Sequence, residues 1–120
     1  MKNGKIWGST ESLFNKNNVE FHRIEATKGG FSSKHKHIHK HNAFYVERGK
    51  LLIKVWKQDY PLVDETIIEA GEMTSVNPDD FHQFVALDDT VAYEIYWTEL
   101  DTGDIIREDS GGIKYRLGYL

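Results

Sequence analysis

Apolar and polar residues alternate over short runs along most of the chain, and Gly, Pro, Asn and Asp interrupt the runs. A period of two puts successive side chains on opposite faces of a strand. Residues 19–27 read as a first strand, stopped at Gly29-Gly30, and residues 31–38 as a second. Residues 43–47 form a third, and Arg48-Gly49-Lys50 a tight turn into 51–57, where Leu51, Ile53 and Val55 share a face. Gln58 to Asp64 contains Pro61 and reads as a loop. Residues 66–69, the turn Ala70-Gly71-Glu72 and residues 73–76 give strand, turn and strand. Asn77-Pro78-Asp79-Asp80 is a turn. Residues 82–87 and 91–98 form a hairpin about Asp88-Asp89, and 113–117 offers a possible edge strand. No segment has a helical period.

About eight strands at this spacing predict an all-β sandwich or closed barrel. With 120 residues and no internal repeat or linker, the chain reads as one domain, 1–120. Its barrel core spans about 19–98, and a polar tail spans 99–120.

Composition narrows the chemistry. The chain has no cysteine, so a metal would be held by His, carboxylate, amide or water. The net charge is -4 with both signs mixed, which argues against a nucleic-acid partner. The apolar runs fall far short of the roughly 20 residues of a membrane span. Met1-Lys2-Asn3-Gly4 lacks the apolar stretch of a signal peptide, so the expectation is a cytoplasmic protein with a small-molecule ligand.

Four of the six histidines, His35, His37, His39 and His41, alternate within seven residues. On a strand, an H-x-H pair turns two imidazoles to one face. A third ligand has to come from elsewhere, and His82, just after a turn, is the natural candidate. A Lys/His run can also be a solvated strand with no ligand role.

The spacing around these histidines resembles the cupin superfamily. Its first motif, G-x5-H-x-H-x3,4-E-x6-G, fits Gly29, His35, His37 and Gly49, with Asn42 where the motif has Glu. Its second, G-x5-P-x-G-x2-H-x3-N, keeps its spacing through Gly71 and His82, with Asn77, Asp79 and Ala86 at the other positions. The resemblance covers roughly residues 19–98. It implies a small, RmlC-like double-stranded β-helix, or jelly-roll barrel, and commonly a homodimer. It also implies that His35, His37 and His82 are metal ligands, with Asn42 at the fourth position. Asn offers only a neutral oxygen, which leaves the ion's full charge in the barrel and favours an anionic ligand.

The ion expected is a divalent transition metal: Fe, Mn, Ni, Cu or Zn. His41 competes for the fourth position at the shorter motif spacing. His39 and His41 are also candidates for proton transfer. The functions implied are a metal-dependent dioxygenase or isomerase, a metal-free sugar-nucleotide isomerase, or a non-catalytic sugar- or acid-binding module. On 91–98, Tyr93, Ile95 and Trp97 share one face and Glu94, Tyr96 and Thr98 the other. Glu94, between apolar neighbours, is a weak acid–base candidate.

Overall fold

The computed structural model of the chain describes residues 2–99 and 103–113. Nine strands lie among them: β1 (Lys2–Lys5), β2 (Gly8–Lys16), β3 (Val19–Ala26), β4 (His41–Arg48), β5 (Lys50–Trp56), β6 (Asp64–Glu69), β7 (Met73–Val76), β8 (Phe81–Ala86) and β9 (Thr90–Trp97). They form two antiparallel sheets, ordered β1-β2-β3-β9-β4-β7 and β6-β5-β8. Among the described residues, no helix is long and apolar enough to cross a membrane.

The core lies between the sheets and follows the period of two. On β4, Asn42, Phe44 and Val46 are buried while Tyr45 is exposed. Leu51 and Ile53 on β5, Phe84 and Ala86 on β8, and Ile24 and Ala26 on β3 complete the same cluster. Burying a side chain such as Phe44 or Phe84 stabilises the fold by about 1.5–3 kcal/mol. His82 shares the buried parity of Phe84 and so points between the sheets. The turn at Gly49 carries the chain from the larger sheet into the smaller. Its φ is +100°, and a Cβ there would stand 2.4 Å from the carbonyl oxygen of Asp89. Only glycine tolerates both conditions.

The strands expected to form a hairpin about Asp88-Asp89 do not pair: β8 pairs with β5 in the smaller sheet and β9 with β3 and β4 in the larger. Two further expectations are corrected. Residues 31–38 are not a regular strand; they touch β8 only through isolated bridges at Phe31–Val85 and His35–His82. The pairing register slips between these bridges, and Ser32 fills the gap. Its Oγ accepts from the Phe84 N–H at 3.0 Å, and its own N–H donates to the Phe84 carbonyl at 3.1 Å. A side chain thus replaces a ladder acceptor, in the manner of a bulge.

The other is corrected by the hairpin β1–β2, which precedes the expected first strand and adds to the edge of β3. Its residues are largely polar and exposed, so no hydrophobic alternation marks them. The edge strand expected at 113–117 lies, beyond Ile113, outside the described residues, and Ile113 itself is in no strand.

Candidate metal centre and the cavity beside it

The 31–40 segment and β8 bring three imidazoles together. Each of His35, His37 and His82 offers one ring nitrogen, and these atoms all lie within 4.8 Å of one another. The ring centroids of His35 and His82 are 4.6 Å apart, those of His35 and His37 5.1 Å, and those of His37 and His82 5.4 Å. Hydrogen bonds orient two of the rings. His82 Nδ1 lies 3.2 Å from the Asp80 carbonyl, and His35 Nδ1 lies 2.9 Å from the Ser33 carbonyl. A carbonyl only accepts, so each Nδ1 carries the proton and each Nε2 keeps its lone pair.

Two of these ring nitrogens, His37 Nε2 and His82 Nε2, are buried without a hydrogen-bond partner, as is Asn42 Oδ1 on β4. Asn42 is 1% exposed, and its amide nitrogen is turned toward the carbonyls of Ala43 and Ile95. Burial pushes the His82 pKa from its ordinary 6.5 down to about 4, and burial also lowers that of His37. Both rings are therefore neutral near pH 7, the state in which imidazole ligates a metal. Buried acceptors are nearly always satisfied. A cation among these orphaned lone pairs would satisfy them, so the donor set fits a metal ion.

The lysines of the Lys/His run take other directions. Lys34 lies over the Trp56 ring at 4.1 Å, and Lys36 pairs with Asp79 at 2.9 Å. His39 is exposed. His41 stacks on Trp97, centroids 5.2 Å apart, and its Nε2 lies 3.6 Å from Glu99. As the neighbour of Asn42 on β4, it projects from the opposite face of the sheet, so the structure brings neither His39 nor His41 to the three histidines.

On the opposite wall, sequence reasoning named Glu94 and put Tyr96 on its face, but passed over Ser12 and His22. Ser12 on β2, His22 on β3 and Glu94 on β9 are successive cross-strand partners, so their side chains form one row. Tyr96 stands in the next row, opposite Asn42, and its hydroxyl donates to Glu94 Oε2. The Tyr96 ring meets His37 edge-on at 5.1 Å and His22 at 5.7 Å. Desolvation raises the Glu94 pKa, with the Tyr96 hydrogen bond opposing it, and burial also raises that of the Tyr96 hydroxyl. A cavity of about 1080 Å³ joins the two places, with Trp7, Ser12, His22, His35, Glu94 and Tyr96 among its walls. One signal for the row was present: His22 has the parity of buried Ile24 and Ala26 on β3.

No family model matches the chain, and no curated protein matches it by sequence. Solved structures do match its fold. KdgF from Halomonas sp. superposes with a TM-score of 0.68 at 12% identity, over 82% of this chain and 86% of that one. An RmlC-like cupin from Shewanella frigidimarina gives 0.66 at 19% identity, over 80% and 82%. Oxalate decarboxylase of Bacillus subtilis, described with Mn(II) centres, gives 0.73 at 12% identity, and this chain covers 27% of its length. The chain has the fold of these small cupins.

Proposed function

We propose that this cupin binds a divalent transition metal (Fe, Mn, Ni, Cu or Zn) through His35, His37 and His82, with Asn42 Oδ1 as a fourth donor, and uses it to hold a small anionic or oxygen-rich molecule. The observation that carries this reading is the convergence of three imidazole nitrogens within 4.8 Å, two of them buried and unpartnered. A bound ion would supply Lewis acidity and open positions for an oxygen ligand. All four donors are neutral, so they leave the ion's charge uncompensated and favour an anion beside it. This suits dioxygenase or isomerase chemistry on such a ligand. A metal-free isomerase reading rests on a barrel imidazole that titrates near neutral pH; His82, which burial holds down to about 4, is not that group.

The test is elemental analysis of tag-free protein beside a His35→Ala/His82→Ala variant. About one transition ion per chain in the first and none in the second is expected. A wild-type protein that takes up none of the five ions after exposure to each overturns the proposal.

A further inference from the structure

We propose that the Ser12–His22–Glu94 row, closed by Tyr96, is a second contact site in the cavity, and that the ligand it takes is a polyhydroxylated carboxylate. Two independent observations lead there. The first is charge. The chain as a whole carries -4, yet Lys5, Lys28 and Lys34 stand against one carboxylate, Glu94, among the described residues that line the cavity. A concave wall of this sign inside an acidic protein concentrates anions.

The second is the arrangement of hydrogen-bonding groups. Strand pairing places Ser12 opposite His22 and His22 opposite Glu94, so a hydroxyl, an imidazole and a carboxyl lie side by side along one wall. Neighbouring strands are about 4.8 Å apart, so different hydroxyls along an extended carbon chain can each meet a different group of the row. The Tyr96 hydroxyl holds Glu94 Oε2, which leaves the second carboxyl oxygen for a ligand. Trp7 meets Phe84 edge-on at 4.9 Å on another wall and gives the carbon skeleton an apolar surface. The Tyr96 ring touches both His37 and His22, so the row and the three histidines are walls of one continuous space. The ligand's carboxylate lies toward the histidines and its hydroxyls lie along the row. The carboxylate end rests on the metal reading above; the hydroxyl row does not.

Calorimetric titration tests this with three probes of equal carbon number: D-gluconate, hexanoate and sorbitol. Protein dialysed free of excess Mn(II) and protein stripped by chelator are compared. Gluconate is expected to bind loaded protein about a hundredfold more tightly than hexanoate, because a site built for hydroxyls rejects the analogue lacking them. Sorbitol, without the charge, is expected to bind weakly to both preparations. Glu94→Gln and Ser12→Ala should each weaken gluconate roughly tenfold, leave hexanoate unchanged and retain the metal. Hexanoate binding as tightly as gluconate, or no gluconate binding, overturns the proposal. So does gluconate selectivity that survives both substitutions, an outcome that leaves the metal reading standing. Absence of metal from the wild type tells against the metal reading alone, because gluconate selectivity over hexanoate in stripped protein still tests the row. If either variant folds poorly, the wild-type comparison of the three probes decides.

Discussion

His35 and His82 form an isolated antiparallel bridge. The His35 N–H donates to the His82 carbonyl at 3.0 Å, the His82 N–H donates to the His35 carbonyl at 2.8 Å, and the two rings stand 4.6 Å apart. The backbone exchange fixes both side chains on one side without a continuous strand. An irregular segment can therefore hold its imidazoles as firmly as a strand would.

Low pH should weaken the metal-free protein through His82. Burial lowers its pKa from 6.5 to about 4 in the folded state. Between these values the unfolded chain binds the extra proton and the folded chain does not. The contribution is intact above pH 6.5, declines as the pH falls toward 4, and amounts to up to roughly 3 kcal/mol. Urea midpoints of chelator-treated protein from pH 7.5 to 4.5 should drop, and His82→Leu should flatten that part of the curve. An identical drop in the variant rules out His82 as the source.

Asn42→Asp should act in opposite directions on the metal-free fold and on metal affinity. The side chain is 1% exposed, and its amide faces two carbonyls. A carboxylate there loses those donors and buries a charge, which costs the metal-free protein about 2–4 kcal/mol. The same charge beside a cation should tighten metal binding roughly tenfold or more. Thermal melts with chelator and with added Mn(II) read both effects; a variant that gains no more from added Mn(II) than the wild type does excludes Asn42 as a donor.

Gly49→Ala should destabilise the fold by about 2–4 kcal/mol. The residue has φ of +100°, and an added Cβ would meet Asp89 O at 2.4 Å and Thr90 Oγ1 at 2.5 Å. Thr90 Oγ1 also accepts from the Lys50 N–H at 3.1 Å, so the clash falls on the link between β5 and β9. A midpoint within experimental error of wild type in urea unfolding contradicts this.

Glu94→Gln should raise stability at neutral pH. Burial raises the Glu94 pKa, so the folded state holds its proton more tightly than the unfolded chain does. Stability is then lost as the pH rises through the ordinary carboxylate range. Glutamine has no charge to desolvate and can still accept from Tyr96. The gain in urea midpoint should be present at pH 7–8 and vanish near pH 4; equal midpoints at all pH values contradict it. A residue that destabilises the fold in this way is characteristic of a functional wall.

The sequence by itself determined which face each side chain takes. The period of two put Leu51, Ile53 and Val55 on one face, and the structure buries Leu51 and Ile53 in the core with Val55 packed against it. It also fixed the turn at Gly49 and gave the spacing that singled out His35, His37 and His82. It did so because alternation and turn chemistry are local properties, written in a few consecutive residues. Tertiary structure decided what those faces meet. Ser32 bridging to β8 broke the expected strand at 31–38, and stacking on Trp97 holds His41 on the far side of the sheet from Asn42. The row of Ser12, His22 and Glu94 exists only because β3 pairs with both β2 and β9 in one particular register. Register between distant strands is set by long-range packing of the whole core, and a slip of one residue would turn every side chain on the moving strand to the opposite face.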